Sequence, residues 1–107
     1  MDSKQTHLSV IAFSTEISNR RILIDVRTAS EYAEGHIAGA VLLDITSPHF
    51  LEKLQSFDPE RSYALYCHSG GRSAFAIHRM RELGFFDVVD LDGGLLAWEE
   101  AGNAVSV

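Results

Sequence analysis

Five short apolar runs constrain this chain more than any other feature: LSVIA (8–12), ILIDV (22–26), AVLLD (40–44), YALYC (63–67) and VVDL (88–91). Each is too short for a typical helix and mostly lacks the polar alternation of a strand with one wet face. Strands covered on both faces read this way, which is the habit of parallel sheets. Helix signals lie between the runs. Thr28-Ala29-Ser30-Glu31 has the form of a capping box: the Thr28 hydroxyl accepts from the Glu31 amide, and the Glu31 carboxylate accepts from the Thr28 amide. The helix it starts is expected to stop at Gly35 in the left-handed end conformation. Ser47-Pro48 predicts a second start, a cap followed by a first-turn proline, with Phe50, Leu51, Leu54 and Phe57 on one apolar face. A third helix is expected from about Ser73 to Leu83, where Ala76, Ile77, Met80 and Leu83 recur at helical spacing and Gly84 closes the run. A fourth follows Gly93-Gly94 and carries Leu95, Leu96 and Trp98; segment 14–19 also reads as helix.

Strands alternating with helices predict an α/β domain with a mainly parallel sheet and right-handed crossovers. The chain has 107 residues, which fits a single domain over 1–107. A formal net charge of −6 repels phosphate backbones and anionic lipid, so neither nucleic acid nor a membrane surface is an expected partner. The N-terminal MDSKQTHLSVIAF lacks the apolar run of a leader, and no stretch approaches the ~18 apolar residues of a membrane helix. The solitary cysteine, Cys67, has no internal disulfide partner, which fits a reducing compartment. A soluble, cytoplasmic protein is expected.

Ligands of parallel α/β sheets gather at the carboxyl ends of the strands. Those ends carry Asp25 and Arg27, Asp44, Cys67, and Asp90 and Asp92. Cys67 admits two readings there. A cysteine closing a buried strand is commonly an inert small hydrophobe. The residues after it, in CHSGGRS (67–73), point the other way. Gly70 and Gly71 free the backbone to approach a bound atom closely. The helix that follows turns its unpaired amides and positive dipole end toward the loop. Such a ring of N–H groups suits an anion, and the anion can be the cysteine sulfur. His68 and Ser69 complete the loop, Arg72 adds a permanent charge, with a guanidinium tied to a carboxylate as the alternative, and the Ser73 hydroxyl can donate one more hydrogen bond. Asp25, Arg27 and Glu31 read as an ion-pair network bracing a strand end, with an acid/base group as the alternative. His36 reads as a structural histidine, and no histidine or cysteine spacing matches a metal site. Gly93-Gly94 before a helix could bind an anion. No cofactor is implied.

Three stretches, taken together, resemble the single-domain rhodaneses, a sulfurtransferase family: LIDVRTASEYAEGHIAGAVLLDI (23–45), YALYCHSGGRSAFAIHRMRELGF (63–85) and VVDLDGGLLAWEEAG (88–102). The resemblance implies a three-layer α/β/α fold with a five-stranded sheet in the order 1-5-4-2-3. It implies that Cys67 is a catalytic residue that becomes a persulfide, within a six-residue loop, 67–72. It implies a small sulfur donor, thiosulfate or a persulfide, and an acceptor that is cyanide, a thiol or a partner protein. The alternative is a non-catalytic or sulfur-carrier module on the same fold. Four residues separate Cys67 from Arg72. Cysteine phosphatases typically have five there, and the tighter ring suits an outer sulfur better than a phosphate. The loop departs from members that favour thiosulfate, which often carry basic side chains where this chain has His68, Ser69, Gly70 and Gly71. The resemblance places the Gly93-Gly94 segment near the mouth of the site, with Leu95 or Trp98 as a wall; Trp98 reads equally as core packing.

Overall fold

The computed structural model describes residues 5–19 and 21–107. Residues 1–4, the start of the stretch read for a leader, lie outside the described residues. In chain order the elements are β1 (His7–Leu8), α1 (Val10–Ile17), β2 (Ile22–Asp25), α2 (Ala29–Glu34), β3 (Val41–Leu42), α3 (Phe50–Leu54), β4 (Tyr63–Tyr66), α4 (Gly71–Glu82), β5 (Val88–Leu91) and α5 (Gly94–Glu100). The strands form one sheet in the order β1-β5-β4-β2-β3, and every neighbouring pair is parallel. Both the α/β class and the strand order agree with the resemblance.

Alternate residues of the central strands feed two cores. Tyr63, Leu65 and Cys67 of the β4 segment point to one face, where they meet Phe50 and Leu54 of α3 and Ala76, Ile77 and Met80 of α4. Ala64 and Tyr66 point to the other, with Phe13 of α1 and Leu95 and Trp98 of α5. The sheet is thus covered on both sides, which explains why β4 and β5 are apolar without alternation. Leu65 is fully buried at the centre of the sheet. Leu65→Ala should cost about 2–5 kcal/mol, part lost transfer energy and part cavity. A urea or guanidinium midpoint measures it.

Four sequence expectations need correction. LSVIA is not a five-residue strand: β1 ends at Leu8, and α1 begins at Val10. The Ser9 hydroxyl accepts from the Ala12 amide at 3.2 Å and caps the helix. Val10, Phe13 and Ile17 face the second core at helical spacing, a period hidden by the short apolar run. Ser47-Pro48 does not open a helix. Ser47 Oγ accepts from the His49 amide at 3.0 Å, making a local turn, and α3 starts only at Phe50. Gly35 does end α2, but with φ 160° it is extended rather than left-handed. Finally, α4 starts at Gly71 rather than near Ser73, so Gly71 and Arg72 belong to its first turn.

Candidate active site

Cys67 follows the last residue of β4, and the chain turns into α4 within four residues. Gly70 makes this possible. Its φ of +114° is barred to most side chains, and it turns its amide back onto Cys67, donating to Sγ with N···S 3.0 Å. One amide of the expected ring is therefore aimed at the sulfur. Cys67 itself is 1% exposed and shares the core of Ile24, Leu65 and Ala76. Both readings of this residue meet: it packs as a hydrophobe and also accepts a loop amide, with the sulfur beneath the loop rather than open to solvent.

Ser73 does not donate to the sulfur as expected. Its hydroxyl donates to Asp90 Oδ2 at 2.7 Å, and the Cys67 thiol donates to Ser73 Oγ at 3.6 Å. The reason is a competing acceptor that sequence spacing did not disclose. Asp90 stands on the neighbouring strand β5, one residue pair along from the end of β4. The strand-end position of Asp90 was the available signal.

Arg72 is also committed elsewhere. Its two terminal nitrogens grip Glu31 at 2.7 and 2.9 Å, joining α2 to α4 across the top of the sheet. Glu31 closes the capping box as well, accepting from the Thr28 amide at 3.0 Å. The Arg72 guanidinium, opposed by partial burial and aided by the Thr28 amide, pulls the Glu31 carboxyl down to about 2 from an ordinary 4.5. In turn Glu31 raises the Arg72 guanidinium. Glu31 is deprotonated more readily folded than unfolded, so its contribution is full above about 4.5 and is lost as pH falls toward about 2. Glu31→Gln should therefore flatten the fall of stability through this acid window, as read from denaturant midpoints at a series of pH values. Both side chains are about a third exposed, at 34% and 31%, so solvent screening keeps the effect modest.

Asp25 and Arg27 form the second pair, almost wholly buried. Arg27 donates to both Asp25 oxygens, at 3.0 and 2.7 Å, and to the Gly35 carbonyl at 2.7 Å. Its guanidinium lies 5.7 Å from the Tyr66 ring centre. Burial alone would lower the Arg27 guanidinium, but the Asp25 hydrogen bond and charge outweigh it and raise it. The pair joins Asp25 and Arg27 at the end of β2, and Glu31 is bonded to Arg72 rather than to it. His36 Nδ1 is bonded to the Tyr32 carbonyl at 2.8 Å, and its ring stacks on Tyr32 at 3.7 Å.

Gly93-Gly94 does not present an anion site. The amides it leads into bind the backbone of the Cys67 loop: Leu95 N donates to the Cys67 carbonyl at 2.8 Å, and Leu96 N to that of His68 at 3.1 Å. Leu95 forms one wall of a cleft of about 330 Å³ beside the loop, with Arg27, Glu31, Glu34, His68 and Glu99. Trp98 is core, packed edge-to-face on Phe13 at 6.4 Å. The cleft is rich in carboxylates, and its arginine is already paired. His68 is exposed on the rim.

Parallel β4, a glycine turn, a sulfur under an amide and a helix start define an α/β domain with a cysteine loop at the carboxyl edge of the sheet. The Rhodanese-like domain model matches residues 11–101, and the chain belongs to that family. It is 37% identical over 98 residues to thiosulfate sulfurtransferase GlpE of Shewanella oneidensis, covering 89% of this chain and 93% of that one. It is 40% identical over 82 residues to the "Probable adenylyltransferase/sulfurtransferase MoeZ" of Mycobacterium tuberculosis, covering 76% of this chain but 21% of that protein. The chain thus spans about a fifth of MoeZ. A rhodanese-related protein from Thermoplasma volcanium superposes with a TM-score of 0.83 at 29% identity, covering 94% of this chain and 97% of that one. Sulfur transfer, in general terms, is the activity these relatives support. Among the described residues no helix is long and apolar enough to cross a membrane.

Proposed function

We propose that this protein is a sulfurtransferase that carries sulfane sulfur as a persulfide on Cys67. The observation that carries the reading is the Gly70 amide aimed at Cys67 Sγ at 3.0 Å, in the loop between β4 and α4. The thiolate of Cys67 attacks the outer sulfur of the donor. The new S–S bond forms as the donor's bond breaks, and the leaving group departs with the electron pair, as sulfite from thiosulfate or as a thiolate from a persulfide. The Gly70 dipole is preorganised for charge near the sulfur and needs no reorientation. An acceptor, cyanide, a thiol or a partner protein, then attacks the outer sulfur and restores the Cys67 thiolate. With no second cysteine in the chain, the acceptor comes from outside.

The buried position of Cys67 makes movement of the exposed residues His68 and Ser69 part of each turnover. The carboxylates of the cleft favour a persulfide donor over thiosulfate, a dianion that Glu34 and Glu99 repel and that Arg27 and Arg72, both already paired, do little to attract. That balance also favours the reading of a carrier that receives and hands on sulfur between proteins. Intact mass spectrometry separates the cases. The reduced protein treated with thiosulfate, and separately with a small persulfide, should gain one sulfur atom that cyanide or dithiothreitol removes. Gain with the persulfide but slow turnover with every small donor supports the carrier; gain with neither sinks both.

A further inference from the structure

Ser73 is fully buried in the first turn of α4, and its hydroxyl joins a chain of hydrogen bonds running from the sulfur to the surface. The Cys67 thiol lies 3.6 Å from Ser73 Oγ, and Ser73 Oγ lies 2.7 Å from Asp90 Oδ2. The Gly70 carbonyl, at 3.2 Å, competes for the same hydroxyl proton, and the nearer, charged carboxylate holds it. Asp90 is 1% exposed, and its other oxygen is bonded to His7 Nδ1, whose side chain is 56% exposed. His7 and Asp90 are direct partners across β1 and β5.

A hydroxyl has one proton to give. Directed at Asp90, it leaves a lone pair facing Sγ, which suits a thiol S–H and opposes a charged sulfur. Turned to the sulfur, it would stabilise the anion. We propose that Asp90, braced by His7, is a positioning residue: it sets the direction of the Ser73 hydroxyl and so holds Cys67 as the thiol at rest. Charging of the sulfur, as thiolate or persulfide, goes with the hydroxyl turning away from Asp90. The catalytic consequence rests on the sulfur-transfer reading above; the hydrogen-bond switch itself does not.

Several other charged groups near this chain are engaged, while His68, next to Cys67, is exposed. Arg72 of α4 senses charge on Cys67 but is gripped by Glu31. Asp25 of β2 is paired with Arg27, Arg81 of α4 donates to Thr6 Oγ1 beside His7, and Glu16 of α1 is held by Arg21.

The test is the rate of Cys67 alkylation by iodoacetamide against pH in the full chain, paired with the ultraviolet absorbance of the thiolate, which needs no access to the sulfur. In Asp90→Asn the new amide can donate to Ser73 Oγ and release the hydroxyl to the sulfur. Alkylation near neutral pH should rise about tenfold. Ser73→Thr, which keeps the hydroxyl, should follow wild type, and Ser73→Ala should not reach the Asp90→Asn rate. His7→Leu, a surface change that leaves the core intact, removes the brace. Asp90, no longer held in place, loses its grip on the Ser73 hydroxyl, and alkylation should rise severalfold, short of the Asp90→Asn rate. Profiles of Asp90→Asn and His7→Leu that both coincide with wild type overturn the proposal, and His7→Leu alone decides it if Asp90→Asn does not fold. Shifted profiles without sulfur loading in wild type would remove the sulfur-transfer reading and leave the switch. Loading with coincident profiles would do the reverse.

Discussion

Cys67→Ser is expected to take up no sulfur from thiosulfate or from a persulfide, and sulfur-transfer turnover is expected to fall on the order of 10³-fold or more, as when an enzyme loses its nucleophile. The substitution changes one atom. The serine oxygen can still accept the Gly70 amide and still fits the space among Ile24, Leu65 and Ala76. It does not present a soft thiolate and forms no S–S bond, so the covalent intermediate is removed while the loop is kept. Thermal melting of the variant should stay close to wild type, because a small buried side chain has been exchanged for one of similar size with a bonded partner. Intact mass after donor treatment is the decisive measurement. A variant that gains sulfur as wild type does would place the chemistry away from Cys67 and end the proposed function.

Gly94→Ala should be the most damaging glycine substitution in the molecule. A methyl group there would lie 2.5 Å from the His68 carbonyl carbon and oxygen and 2.6 Å from the Cys67 carbonyl oxygen, all backbone atoms. The residue also sits at φ +61°, which a side chain tolerates poorly. Neither partner can retreat. The helix α5 is anchored by Leu95 and Trp98 in the second core, and Cys67 is anchored in the first. Strain and overpacking together should cost roughly 2–5 kcal/mol. Sulfur loading should suffer beyond the loss of folded protein, since the clash falls on the peptide that carries the sulfur. Gly71→Ala is the contrast. No atom lies within 4 Å of its would-be Cβ, and the residue begins α4. There the substitution should leave stability unchanged or raise it by up to about 1 kcal/mol. Equal melting temperatures for the Gly94 variant and wild type would refute the close-approach account.

Local features of this site were readable where the physics is local. The Thr28–Glu31 capping box forms as spelled, because both of its bonds close within four residues. The glycine turn after Cys67 and the amide on its sulfur follow from Gly70 and a helix start next to it. Which carboxylate takes Arg72, and where the Ser73 hydroxyl points, was not readable in the same way. Each has a plausible partner close in sequence, and each is taken by one far away, Glu31 at a separation of 41 residues and Asp90 at 17. Gly93-Gly94 was open to misreading for the same cause. A helix start offers its amides to any acceptor, and only the packing of α5 against the loop made that acceptor the backbone of Cys67 and His68.

The sequence by itself determined the class of fold, the strand-to-helix loop and the sulfur at its base, because buried strands, caps and glycine turns are set by neighbours along the chain. The side-to-side order of the strands came from family resemblance. Only the tertiary structure decided which charges were spent on one another, how deeply Cys67 lies, and that β5 sets Asp90 between Ser73 and His7. Those outcomes turn on competition among acceptors brought together by a parallel sheet, and no spacing along a chain records which acceptor arrives nearest.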